Sequence, residues 1–191
     1  MARPRKFEEE RAVEAAMRAF WESGYEATST QELCEATGLG RSSIYNTFNS
    51  KHDLFTRALT RYMNIKTANV VEALEDAERP VRERLRTVLG WAVRADAGDP
   101  AGCLVVNTMI EMAPRDADVA GRLATDQKKR LAALRAAIEG GQRSGEIDAG
   151  RDAAALAHFV IATISGMRVA ARGGADERTL EAIAAAALAA I

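Results

Sequence analysis

Cysteine is nearly absent. Cys34 and Cys103 are the only two in 191 residues, too few for a disulfide framework, and neither sits in a C-x-x-C or Cys/His metal spacing. A reducing cytoplasm is therefore the expected compartment, with no metal and no cofactor. Proline is almost as scarce, at four residues, and no window sustains period-two alternation of apolar and polar side chains, so strands are not expected. Charge of one sign is lacking too: 26 basic side chains against 27 acidic ones leave a net charge of −1. That balance excludes a nonspecific polybasic binder and makes any nucleic-acid contact a matter of local placement. Clean hydrophobic runs are missing as well. The most apolar stretch, residues 153–171, carries His158 and Arg168 and falls short of the ~20 residues a bilayer demands, and no apolar segment follows the charged residues 1–7. No membrane span and no secretory signal are expected.

What the chain does have is Ala, Leu, Glu and Arg in abundance, with 48% hydrophobic and 28% charged residues, the balance of a folded globular protein. The fold class expected is all-α, with about nine helices. The first runs from about Phe7 to Ser23: Val13, Ala16, Met17 and Phe20 recur at helical spacing and Gly24 supplies a stop. Ser29 and Glu32 form an S-x-x-E capping box that starts a short helix with Leu33 and Ala36 inward, ended by Gly38. After Gly40, Arg41 to Phe48 reads as another short helix with Ile44 and Phe48 inward. Ser50 caps a long helix reaching about Glu75. Pro80 marks a break, beyond which helices are expected at about Val81 to Ala97, Pro100 to Met112, Asp116 to Ser144, Asp152 to Arg172 and Asp176 to Ile191.

Short helix, glycine turn, short helix is the helix-turn-helix, whose second helix lies in the major groove and needs small or polar residues outward. Arg41 to Phe48 divides that way. Arg41 reaches phosphate or a guanine edge, Ser42 and Ser43 are short donors, Tyr45 offers a ring and a hydroxyl, and Asn46 pairs with adenine or phosphate. Between Ala36 and Asp53 no acid intervenes, and Lys51, near the start of its helix, reads as a phosphate clamp. Arg3, Arg5 and Lys6 read as a flexible arm that follows the backbone or enters the minor groove.

Thr28-Ser29, Leu33, Ala36-x-Gly38-Leu39, Ile44-Tyr45-x-x-Phe48 and Ser50-Lys51-x-x-Leu54-Phe55 resemble the DNA-binding signature of TetR/AcrR regulators. The resemblance covers about the first sixty residues at motif level. It implies that Thr30, Gln31, Arg41, Ser42, Ser43, Tyr45, Asn46 and Lys51 supply phosphate and base contacts, and that the protein represses transcription. Gly40 departs from the pattern, standing where a capping Ser or Thr is usual, and Thr47 stands where an aromatic or His often sits. The division expected is a helix-turn-helix DNA-binding domain over residues 1–50 and an effector-binding and dimerisation domain over 51–191.

In the last helix Leu180, Ile183, Ala184, Ala187, Leu188 and Ile191 follow helical spacing, and the preceding helix is apolar nearly all round. Such surfaces are expected to meet in a homodimeric four-helix bundle, as the resemblance also implies, giving a near-palindromic operator with half-sites roughly 34 Å apart. Residues 102–109 mix apolar walls with a few polar groups, as small-molecule sites do. Trp91, Cys103, Asn107, Thr108, Glu111, His158 and Met167 are the candidate effector residues. Asp99 and Pro100 fit Ncap and N1 positions, which puts Cys103 in a first helical turn, where the dipole favours thiolate chemistry. Some TetR-like regulators with a cysteine near this place respond to electrophiles or oxidants. The competing classes are a helical small-molecule enzyme using Cys103, His158 and Glu111, and a protein adaptor without DNA binding. No nucleophile elbow, phosphate loop or metal motif supports the enzyme.

Overall fold

Helix propensity and capping account for most of the architecture. The structure is a computed structural model that describes residues 3–94 and 102–191, with the backbone alone for residues 3–7. Among the described residues there are nine helices and no strand: α1 (Arg3–Ser23), α2 (Thr30–Thr37), α3 (Arg41–Phe48), α4 (Lys51–Glu75), α5 (Val81–Val93), α6 (Leu104–Glu111), α7 (Ala117–Ser144), α8 (Ala153–Arg172) and α9 (Glu177–Ala189).

Caps set the boundaries. Ser29 Oγ accepts the Glu32 N–H at 3.1 Å while Glu32 Oε2 accepts the Ser29 N–H at 2.6 Å, so the capping box that opens α2 is complete. Gly38 closes it at φ 69°, a left-handed conformation that costs a side chain about 1 kcal/mol or more. Ser50 accepts from the Asp53 N–H at 3.0 Å at the head of α4. Asp116, Asp152 and Asp176 accept from backbone N–H groups in the first turns of α7, α8 and α9, the N-cap arrangement that satisfies donors left over at a helix start.

Three boundaries differ from those expected. α1 begins at Arg3 instead of Phe7, so Arg3, Arg5 and Lys6 belong to helical backbone and not to a flexible arm. Pro4 sits in the first turn, where its missing N–H costs nothing, and Arg, Lys and Glu are good helix formers. α5 stops at Val93, because Arg94 turns extended at φ −110° and its guanidinium meets Glu177 at 2.6 Å. α6 begins at Leu104: Gly102 takes φ 91° and Cys103 is extended at φ −145°. Cys103 is thus the residue before the helix and not in its first turn; Asp99 and Pro100 lie outside the described residues.

The chain divides into two compact units. The first holds the described residues up to Ile65 together with Cys103–Leu123. Its core gathers Ala16, Phe20, Leu33, Ile44, Phe48, Leu54, Phe55, Leu59 and Tyr62, and α6 joins through Leu104 and Val105, with Met112 just beyond its end. Phe20 and Phe55 meet edge to face at 5.1 Å. Ile44 and Phe48 are buried inward as their spacing predicts, and truncating either to alanine costs about 3 kcal/mol. Ala36 is exposed instead of inward. The face of α2 turned to the core is Leu33, Cys34 and Thr37, and the Thr37 hydroxyl donates back to the Leu33 carbonyl at 2.6 Å.

The second unit holds the described residues of 66–102 together with 124–191. Here α5, α8 and α9 pack together around Leu85, Leu89, Val160, Met167, Leu180 and Ala184, with Leu134 and Ile138 of α7. Asp126 is buried, accepts the Thr67 hydroxyl at 2.6 Å and pairs with Arg130 at 2.9 Å. Removing one partner of such a pair costs about 3 kcal/mol. By length and hydropathy α8 is long and apolar enough to cross a bilayer, despite His158 and Arg168. It lies in the core of this unit along one side only, through Leu156, Ala157, Val160 and Met167.

Candidate nucleic-acid interface and sensor residues

The outward face of α3 is built from Arg41, Ser42, Ser43, Tyr45 and Asn46, all exposed, while Ile44 and Phe48 anchor its other side. Gly40 precedes it at φ −67°, ψ 155°, with no side-chain bond to the first turn, so the backbone N–H groups there carry no internal acceptor from the cap. The Arg41 guanidinium stands 6.0 Å from the Tyr45 ring centroid. The Tyr45 hydroxyl shares a hydrogen bond of 3.2 Å with Thr30 at the start of α2, which links the two helices at the solvent face. Gln31, beside it, is exposed and donates to Glu35 at 3.0 Å. Thr30, Gln31 and the α3 residues therefore all belong to one helix pair. For Arg3, Arg5 and Lys6 only the helical backbone is described.

Lys51 opens α4. Its ammonium lies 4.5 Å from the Tyr25 ring centroid and donates to the Glu26 carbonyl at 3.4 Å. Both partners are neutral, and no carboxylate stands within ion-pair distance of it among the described residues. The Tyr25 hydroxyl is raised above the ordinary tyrosine range by burial first, then by the acids Glu26 and Asp116, so it stays protonated at physiological pH. Glu32 is held below the usual carboxylate range, chiefly by its bond from the Ser29 N–H.

The residues read as sensors fall in both units. Cys103, Asn107, Thr108 and Glu111 are in the first, along α6 and its approach; Trp91, His158 and Met167 are in the second. Cys103 is half-buried and its sulfur accepts the Tyr62 hydroxyl at 3.5 Å. Thr108 is buried, and the Asn107 amide nitrogen is buried without a hydrogen-bond partner. Glu111 has both oxygens engaged, accepting the Tyr25 N–H at 3.0 Å and the Glu26 N–H at 2.8 Å. Trp91 is 37% exposed, and its carbonyl accepts from Arg168 at 2.6 Å. Met167 is buried in the α5–α8–α9 core, and His158 is exposed on α8.

This arrangement matches known proteins over nearly the whole chain. Residues 12–58 match the description "Bacterial regulatory proteins, tetR family", and residues 81–187 match "Tetracyclin repressor-like, C-terminal domain". The HTH-type transcriptional repressor ComR of Escherichia coli is 33% identical over 184 residues, covering 95% of this chain and 88% of ComR. The chain belongs to the TetR family. Among solved structures, a cysteine-substituted form of the TetR-family regulator CifR bound to 26-base-pair operator DNA superposes with a TM-score of 0.84 at 28% identity, covering 95% of each chain. A TetR-family regulator from Agrobacterium tumefaciens gives 0.87 at 25% identity, over 97% of this chain and 98% of that one.

This TetR-family chain is accordingly a helix-turn-helix transcriptional regulator and not an enzyme. Tyr25, Glu26 and His52 escaped sequence reasoning. Each belongs to a turn or a helix start without periodicity, and their partners lie 25 to 86 residues away. The dipeptide following Gly24 carried no signal beyond the glycine stop itself.

Proposed function

We propose that this regulator is a cytoplasmic repressor that binds a near-palindromic operator as a homodimer and is released by a small-molecule or reactive-electrophile effector. The observation that carries the reading is the exposed, mostly uncharged face of α3, backed by a fully buried anchor at Ile44 and Phe48. Arg41 and Asn46 offer the donors that distinguish guanine and adenine edges in a major groove, while Ser42, Ser43, Tyr45, Thr30, Gln31 and Lys51 engage backbone or base edges. Arg3, Arg5 and Lys6 add phosphate contacts from the start of α1. In keeping with the reading, CifR is bound to operator DNA in its own structure. Residues 1–50 carry DNA recognition, and 51–191 carry effector binding and dimerisation.

The dimer forms through α8 and α9, but not through the stripe expected from the spacing: Leu180, Ala184 and Ala187 are buried in the protomer's own core, which leaves the opposite side of α9 for a partner. Ala155, Phe159, Ala162, Gly166 and Val169 are exposed along one stripe of α8, and Ala182, Ala185, Ala186 and Ala189 along one stripe of α9. Small residues allow close helix approach, and covering an apolar stripe of this length favours a four-helix bundle. That burial also accounts for the high hydropathy of α8 in a protein that works on DNA.

The effector is taken up in the first unit by residues drawn from Cys103, Asn107 and Thr108 along α6 and its approach, and it acts by binding more tightly to a conformation that fits the operator poorly. Cys103 is the covalent candidate. Selection of bound fragments from random DNA by the purified protein tests the whole reading: an inverted repeat with half-sites one helical turn apart is expected, and Arg41→Ala and Tyr45→Ala lose it in a salt-dependent gel shift. Recovery of no motif overturns it. Release from that DNA by quinones or hypochlorite, absent in Cys103→Ser, assigns the electrophile role; identical release in both proteins removes it.

A further inference from the structure

We propose that Glu111 is a positioning residue for DNA binding: from the last position of α6 it fixes the turn between α1 and α2, and that turn seats the ammonium of Lys51. The inference rests on the reading of Lys51 as a phosphate clamp.

The geometry is a relay of two links. Glu111 Oε2 accepts the Tyr25 N–H at 3.0 Å and Oε1 accepts the Glu26 N–H at 2.8 Å. A carboxylate spanning two successive amides fixes the peptide plane between them as well as its own position, since charge-assisted bonds of this kind are short and directional. Gly24 makes the approach possible. It takes φ 86°, a backbone conformation that strains any other side chain, and a Cβ there would stand 3.0 Å from Glu111 Oε2 and push the carboxylate back by a few tenths of an ångström.

The two residues so fixed are the two that hold Lys51. The Tyr25 ring carries the ammonium at 4.5 Å, and the Glu26 carbonyl accepts from it at 3.4 Å. The ring is itself wedged against Phe55 at 4.9 Å and stacked on Phe20 at 6.0 Å, so with its backbone pinned it has little freedom to swing. An ammonium has three N–H donors, and here one goes to a carbonyl and the ring face takes part of the charge. The seat therefore aims Lys51 without neutralising it, leaving charge and donors for a phosphate. Had Glu111 faced Lys51 directly, the two would pair and a phosphate would have to compete; by acting through backbone amides the acid organises the cation at one remove.

The test uses the full-length protein and the DNA fragment recovered by selection, with affinity measured against salt concentration. Each phosphate contact contributes about 0.9 to the slope of log affinity on log salt. Lys51→Met is expected to lower affinity and reduce that slope by about one. Glu111→Ala is expected to do the same while retaining wild-type helicity, and the double variant Glu111→Ala/Lys51→Met should bind no more weakly than Lys51→Met alone. Glu111→Gln, which keeps the shape and one acceptor oxygen, should fall between and guards against a variant that fails to fold. If Glu111→Ala weakens binding with an unchanged slope and its effect adds to that of Lys51→Met, Glu111 only stabilises the fold and the inference is overturned. If Lys51→Met leaves both affinity and slope unchanged, the phosphate reading of Lys51 fails and takes this inference with it.

Discussion

The imidazole of His52, in the first turn of α4, meets the carboxylate of Asp116 at 2.7 Å, so the helix that carries Lys51 is tied at its start to the residue that caps α7. The two groups are unequal partners. Asp116 also accepts the Val119 N–H at 3.0 Å, and that cap, before the histidine, is what holds its pKa below the ordinary aspartate range.

His52→Ala should therefore cost little, about 0.5 kcal/mol, because the pair is partly solvent-exposed. Asp116→Ala should cost about 1 to 2 kcal/mol, because it loses the cap as well. The double variant should resemble Asp116→Ala alone. Urea denaturation of the three proteins measures the ordering, and equal losses from the two single variants would contradict it.

Acid should weaken the fold through its caps. Asp176 is depressed below its ordinary pKa, first by the Thr179 side chain and then by the Thr179 N–H. A depressed carboxylate contributes stability above its unfolded pKa of about 3.9 and loses it as pH falls through the lower folded value. Asparagine caps as well but does not titrate. Between pH about 5 and about 3 the melting temperature of Asp176→Asn should fall less steeply than that of the wild type, as thermal unfolding followed by circular dichroism would record.

An unpaired buried donor costs about 1 to 3 kcal/mol, and Asn107 holds one in α6. Asn107→Leu, which keeps the branching at Cγ and removes the amide, should raise stability by about 1 kcal/mol in chemical denaturation. A loss of stability would mean that the amide is engaged after all.

Val169 and Phe159 are 49% and 41% exposed on α8. A glutamate at Val169 should leave the protomer's helicity intact while turning a dimer in light scattering into a monomer, with operator affinity lowered at least tenfold. A Val169→Glu protein that remains dimeric would remove α8 from the interface.

Local chemistry was legible in the sequence, and distant chemistry was not. Ser29 and Glu32 lie three residues apart, and Asp152 and Asp176 cap the turns directly after them, so spacing alone locates α2, α8 and α9. Ile44 and Phe48 likewise fix the inward side of α3. Ala36 misled because an eight-residue helix with one large apolar residue leaves its rotation free, and Cys34 with Thr37 decided it. The start of α6 misled because Asp99-Pro100 is a strong start signal, whereas Gly102 at φ 91° breaks the helix later. The bonds from the amides of Tyr25 and Glu26 to Glu111 could not be read, because backbone partners leave no trace in side-chain patterning.

The outward side of α3 holds one cation, Arg41, among hydroxyls and an amide. On the proposed reading, ions in solution thus have little there to compete with, whereas a phosphate contact by Lys51 would be fully subject to them. If so, choice of operator and strength of grip would be set by separate parts of the surface, and a change in potassium concentration would alter how many operators are occupied far more than which ones.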